Sequence, residues 1–285
     1  MQQPDIMIFG SSKASCSAFE EAKQMEPVDQ HNCEIQRNLE HWRRKPVLSR
    51  IYRTFHELIA RNLAIQSSGL TVEIGSGIGN IKEVIPHCVR TDLFPNPWID
   101  CVQNAYCLSW ADGSVANLIL FDVFHHLRYP GTALEEFHRV LMPGGRVIIF
   151  DPCVSILGLF VYGHLHHEPL GLKDAIQWIP RGEWSPRDVD YYAAQGNATR
   201  VFLRGEFDPG LSAWTVVTRR RFSAISYATS GGYSRPQMYP ASAFPIMRLV
   251  DRMCDLIPWL FATRLLVVIE KKTTAEQRGS FRHDS

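Results

Sequence analysis

A short apolar run, Leu70-Thr-Val-Glu-Ile74, passes directly into Gly75-Ser-Gly77-Ile-Gly79. A buried strand that ends in closely spaced glycines must turn sharply, and without Cβ atoms a bound molecule can approach its backbone. The spacing is Gly-x-Gly-x-Gly rather than the Gly-x-Gly-x-x-Gly of dinucleotide sites. A pyrophosphate needs a helix N-terminus aimed at it and would be repelled by an acid such as Glu73. The same carboxylate attracts an ammonium group, directly or through water. The turn therefore suits an amino-acid-bearing nucleoside.

The surrounding pattern is that of an α/β fold. Val89–Phe94 reads as a second strand, 99–103 as a third, Asn117–Asp122 as a fourth and Arg146–Asp151 as a fifth. Between them, Asn80 is placed to cap a brief helix over 81–85. Thr132-Ala-Leu-Glu135 has the spacing of a capping box opening a helix that buries Leu134, Phe137 and Leu141. Strands alternating with helices predict a parallel sheet covered on both faces. Asp92, near the end of the second strand, reaches the same carboxyl edge as Gly75. An acid there can accept hydrogen bonds from both hydroxyls of a ribose.

Upstream, Ile35, Leu39 and Trp42 fall on one helical face. Ile51, Tyr52, Phe55, Leu58, Ile59 and Leu63 mark a second helix that Gly69 stops. Residues 1–33 lack sustained apolar periodicity and are expected to be a flexible lead-in. One domain is expected over 34–285: N-terminal helices in 34–68, a cofactor-binding core in 69–152, an irregular lid or acceptor insertion in 153–221, and the C-terminal part of the sheet in 222–285. In that last part a strand is expected over 222–227, a helix marked by Ile246, Leu249, Val250, Met253 and Ile257, and a final strand over 265–269.

Composition narrows the function. Thirty Lys+Arg face 29 Asp+Glu, so no global field draws the chain to nucleic acid or anionic lipid. Seven cysteines without a Cys-x-x-Cys pair fit neither a zinc knuckle nor a disulfide framework. No stretch reaches the roughly 18 apolar residues of a membrane span, and no secretory signal is evident. The expectation is a cytoplasmic protein, with its oligomeric state left open.

The ordered motifs resemble the class I S-adenosylmethionine-dependent methyltransferases, above all the small-molecule branch often described as methyltransferase domain 11. The resemblance spans roughly 71–152 and implies a doubly wound, mostly parallel, seven-stranded Rossmann-like sheet. It implies that Glu73, Gly75, Ser76, Gly77 and Gly79 line the methionine part of the cofactor and that Asp92 and Leu93 hold its ribose. Asn104-Ala105 stands where the family usually has Asp-Ala beside the adenine. Asn104 departs from that acid, though an amide can pair with an adenine amino group. Phe121 and Asp122 begin the segment after strand four, Phe121-Asp-Val-Phe-His-His126, and Arg139–Gly145 matches the turn before strand five.

A sulfonium methyl group is already activated, so such a protein mainly positions donor and acceptor and excludes water. A base is needed only where the acceptor must lose a proton. His125 and His126 are the candidates for that role, set against packing beneath the cofactor. The segment lacks an Asn-Pro-Pro-Tyr-like pattern, which lowers nucleic-acid and glutamine methylation. The expected acceptor is a small or medium-sized metabolite, methylated at oxygen or carbon rather than nitrogen. Two other readings stand beside this one: a non-catalytic partner protein that keeps the fold, and a nicotinamide-dependent oxidoreductase, which the glycine spacing and Glu73 disfavour. His164-Leu-His166-His167-Glu168 has the residue types of a metal site, but Pro169 and the irregular context leave its geometry unspecified. It is expected to be a polar lid segment, and no metal is expected. Arg219–Arg221 reads as a solvated strand start before a phosphate grip. Trp184, Tyr191 and Tyr192 line a pocket or pack the lid.

Overall fold

The computed structural model describes residues 27–64, 69–166, 168–188 and 191–272. The glycine turn follows β1 (Leu70–Ile74), a central strand of a seven-stranded sheet whose other members are β2 (Val89–Asp92), β3 (Cys101–Val102), β4 (Val115–Phe121), β5 (Leu141–Pro152), β6 (Trp214–Phe222) and β7 (Arg264–Lys271). Their order is β3-β2-β1-β4-β5-β7-β6. The first five are parallel, and β7 lies antiparallel between β5 and β6. The chain steps outward from β1 to β3, then returns to β4 on the other side of β1. Open sheets bind ligands at such a reversal, outside the carboxyl ends of the strands.

Every residue of β4 is buried, as a parallel strand covered on both faces requires. Leu118 and Leu120 join Val147 and Ile149 of β5 in a core covered by α3 (Pro130–Val140) and α5 (Asn197–Leu203). Ile119, Phe121, Ile148 and Phe150 pack instead against α2 (Pro46–Ala60), which contributes Leu48, Ile51, Tyr52, Phe55 and Ile59 at helical spacing. Phe124, Phe137, Phe150 and Phe202 are fully buried. Each contributes on the order of 2–3 kcal/mol through the apolar area it removes from water.

Several boundaries differ from the sequence expectation. Helix α1 spans Pro27–Arg44 and so starts before Glu34. Pro27 and the first-turn Asp29 favour a helix start there despite the polar residues that follow. Residues 1–26 of the expected lead-in lie outside the described residues. Helix α2 ends at Ala60, well before Gly69. Asn80 opens a single tight turn, Asn80–Glu83, without a side-chain cap, because left-handed Gly79 sets the turn before it. Thr132 caps nothing either: Pro130 fixes the start of α3 two residues earlier.

The stretch after Cys153 is more regular than its composition suggests. It holds α4 (Ile156–Phe160), a wide helical turn Val161–Leu165, the core helix α5 and the strand β6. Among the described residues the irregular part narrows to 166, 168–188 and 191–196. The strand expected over 222–227 lies earlier, at Trp214–Phe222, and Ile225–Thr229 is helix α6. Arg219, Arg220 and Arg221 are exposed on this outermost strand, where charges discourage edge-to-edge pairing. The expected C-terminal helix is present as α7 (Phe244–Cys254), followed by the short α8 (Pro258–Phe261). Among the described residues, no helix is long and apolar enough to cross a membrane.

Candidate active site

At the end of β1 the backbone turns through three left-handed glycines, with φ of 68° at Gly75, 52° at Gly77 and 67° at Gly79. Their roles separate when a Cβ is imagined on each. At Gly75 it would meet Val123 Cγ2 at 2.5 Å, and at Gly79 the Trp98 carbonyl at 2.5 Å, so those two serve packing. At Gly77 it would meet nothing within 4 Å. That glycine fronts open space, as a cradle for a ligand does. Ser76 stitches the turn to β2: its N–H donates to the Thr91 carbonyl at 2.7 Å, and its Oγ accepts from Thr91 N at 3.1 Å.

Two acids flank this turn. Asp92 Oδ2 accepts from Gly77 N at 3.1 Å, and its Oδ1 accepts from Leu93 N at 2.8 Å. Backbone donors thus fix the carboxylate across the mouth of the cradle. His31 of α1 places Nε2 3.2 Å from the same Oδ1. Glu73 is only 3% exposed, and its Oε2 has no hydrogen-bond partner. Burial, with Asp92 adding repulsion, pushes its pKa up to about 8. A buried acid with one oxygen unpartnered at this turn fits a ligand that carries an ammonium group, whose charge would favour the ionised form.

Farther along the edge, Asn104 follows β3. Its Oδ1 accepts from Tyr106 N at 3.0 Å and its Nδ2 donates to the Pro186 carbonyl at 2.7 Å. The side chain therefore secures the loop near 186 over this end of the cleft, and Ala105 packs against the core beside it. Phe121 is core on the α2 face, its ring 5.2 Å from Tyr52 and 5.3 Å from His56. Asp122 adopts the left-handed conformation, with φ of 56°, and pairs with Arg264. Arg264 in turn lies 4.6 Å from the centre of the Tyr227 ring.

Beyond Asp122, the turn Phe124–His126 carries the two candidate histidines. His125 is 3% exposed, with Nδ1 3.0 Å from Asp151 Oδ1 at the end of β5 and Nε2 3.3 Å from Glu168 Oε2. Burial opposes its charge, but Asp151 and Glu168 outweigh burial and raise its pKa to about 10. His126 donates Nδ1–H to the Tyr192 carbonyl at 2.8 Å, and its Nε2 lies 3.6 Å from Glu168 Oε1. Burial and the charge on His125 lower its pKa to about 4. Tyr191 donates its hydroxyl to Glu168 at 3.0 Å, while Trp184 packs edge-on against Tyr106 and Tyr129. His167 lies outside the described residues.

The sequence pointed to the glycines, Glu73, Asp92 and the histidine pair, and it marked Glu168 only as part of a polar lid segment. It gave no sign of His31, Asp151 or Arg264, each contributed by a distant segment and marked by no local motif. A cavity of about 440 Å³ is lined by His164, Leu165, His166, Ser234, Arg235 and Pro236, and among these His166 lies 3.8 Å from Glu168.

Residues 72–149 match the family described as methyltransferase domain. No curated protein matches the sequence. Among solved structures, the chain is similar to geranyl diphosphate methyltransferase in complex with S-adenosylmethionine, at 12% identity and a TM-score of 0.47, over 78% of this chain and 86% of that one. It is also similar to a chain in the complex between the Haloferax volcanii Trm112 methyltransferase activator and a methyltransferase, at 16% identity and a TM-score of 0.48, over 87% and 98%. A third is a sarcosine dimethylglycine methyltransferase structure from Galdieria sulphuraria, at 11% identity and a TM-score of 0.42, over 78% and 84%. Likenesses this low carry no acceptor across. The domain match falls on the glycine turn, Asp92 and the strands from β1 into β5, so over 72–149 the chain carries a methyltransferase domain, which implies S-adenosylmethionine as its cofactor.

Proposed function

We propose that this methyltransferase acts on a small or medium-sized metabolite, at oxygen or carbon rather than nitrogen. The observation that carries the reading is the carboxyl edge of the sheet, the place where such sheets take small ligands. Open-faced Gly77 and the buried acid Glu73 share that edge with a histidine turn held under the segment bearing Glu168 and Tyr192. In this reading Glu73, Gly75, Ser76, Gly77 and Gly79 receive the amino-acid end of the cofactor. Asp92 and Leu93 receive the ribose, Asn104 and Ala105 border the adenine, and Phe121 and Asp122 close the floor. The bound cofactor supplies the activated methyl group. The chain's own residues align the acceptor and keep water out, which is where such a site gains most of its rate.

Of the two histidines His126 is the more open to an acceptor, while His125 is enclosed, with a carboxylate on each ring nitrogen. The loop over 166–196 acts as the lid. Six described cysteines are free thiols, which supports a reducing, cytoplasmic setting.

Gly77→Arg fills the cradle and Asp92→Ala removes the ribose acceptor. Each is expected to weaken binding of S-adenosylhomocysteine at least about tenfold, the worth of about 1.4 kcal/mol. Calorimetry showing unchanged affinity in both variants defeats the cofactor assignment. Screening metabolites with methyl-labelled cofactor then tests the acceptor class, and transfer to proteins or nucleic acid alone would overturn it.

A further inference from the structure

The two histidines and Glu168 form a constellation with more order than packing needs. His126 gives its Nδ1 proton to a backbone carbonyl, so in the neutral ring the lone pair sits on Nε2, which faces Glu168. His125 gives its Nδ1 proton to Asp151 and directs Nε2 at Glu168, where a bound ion would take the place of the second ring proton. A lone pair facing a carboxylate is unfavourable unless a proton or a metal ion lies between them, and for His126 burial disfavours the proton. Separation points the same way. Charge-assisted N–H···O bonds run about 2.7–2.9 Å, whereas the two Nε2-to-carboxylate distances are 3.3 and 3.6 Å. Ligand atoms around a tetrahedral ion with bonds of about 2.0–2.1 Å stand about 3.3–3.4 Å apart. All three ligand atoms lie within 4.8 Å of one another.

The surroundings are those of a metal site as well. Asp151 behind His125 and the Tyr192 carbonyl behind His126 fix both rings, the usual arrangement for metal-binding histidines. Tyr191 and Gln195 donate to Glu168 and hold its carboxylate in place.

We propose that His125, His126 and Glu168 hold one divalent ion of the zinc class, leaving a fourth position for an oxygen of the acceptor. Two histidines and a glutamate with an open position make a catalytic rather than a structural donor set. The role given to the ion rests on the methyltransferase reading above. When an acceptor hydroxyl binds the ion, its proton passes to solvent. The oxygen lone pair then forms the bond to the methyl carbon, and the C–S bond breaks with its electron pair going to sulfur. The ion thereby favours oxygen as the methylated atom.

The test strips the full-length protein with a chelator and titrates it with zinc chloride, then with cobalt(II) chloride as a coloured substitute. Wild type is expected to take up a single ion, with visible cobalt absorption of the tetrahedral kind. His126→Ala and Glu168→Gln should each lower ion affinity by about 100-fold or more, and Asp151→Asn, behind a ligand, by about 10- to 100-fold. Affinity for S-adenosylhomocysteine serves as the check on folding, and the metal result is read in whichever ligand variant retains it. Uptake by wild type no greater than by that variant overturns the site and leaves the cofactor reading standing. Uptake that follows the ligands in a protein that binds no nucleoside keeps the site and removes the role given to it.

Discussion

Glu73 couples this protein to pH in an unusual direction. Its carboxyl is raised from 4.5 to about 8 by burial, so between those values the folded state binds a proton that the unfolded chain releases. The favourable contribution is complete below about pH 4.5 and disappears as pH rises through about 8. Glu73→Gln removes this dependence, and the variant is expected to gain on wild type by a few kcal/mol in denaturant melts above pH 8. Cofactor binding draws the group the other way, since an ammonium favours the ionised acid. Calorimetry at pH 7 in buffers of different ionisation enthalpy should therefore register proton release on binding, and Glu73→Gln should abolish it. Glu73, Asp92 and the glycines were legible because a strand end and a turn place them together within a short stretch. Asp151 and Glu168 were not, because only the packing of distant strands and loops makes them partners of His125.

Among the elements, α1 carries a direct consequence for the cofactor. His31 stands 3.2 Å from Asp92 Oδ1, the oxygen that the proposed reading offers to a ribose hydroxyl. Its replacement, His31→Ala, is expected to tighten S-adenosylhomocysteine binding by up to about tenfold, equivalent to about 1.4 kcal/mol. Unchanged or weaker binding would show that the histidine does not compete. Helix α7 inverts the usual arrangement. Its Asp251 is buried and accepts from the N–H and hydroxyl of Ser226, while Leu249 is 56% exposed. Asp251→Ala should cost about 1–3 kcal/mol by stranding those donors, and Leu249→Glu should stay within about 0.5 kcal/mol in thermal melts. Periodicity revealed this helix yet gave no sign of which side met the core. β6 escaped notice for a related reason: Arg219–Arg221 interrupt its apolar alternation because the strand lies at the sheet's edge. The strands β1, β4 and β5 were clear because burial on both faces demands continuous apolar runs.

At the level of the whole molecule, one lysine joins two segments far apart in the chain. Lys45, only 7% exposed, precedes α2 and donates through Nζ to the carbonyls of Gly232 at 2.6 Å and of Arg235. Lys45→Met retains the stem but abandons two carbonyls. It is expected to destabilise by about 1–3 kcal/mol and to raise amide exchange in α2 and over 231–235 together. Exchange confined to one of these segments would refute the linkage. The direction of β7 has a practical corollary. It pairs Arg264 with Pro152 at the cleft and Glu270 with Arg146 at the opposite rim. The ion pair between Arg146 and Glu270 thus clasps the sheet at the edge away from the glycine turn, and exchanging the two charges offers a way to loosen the scaffold while leaving the binding edge untouched.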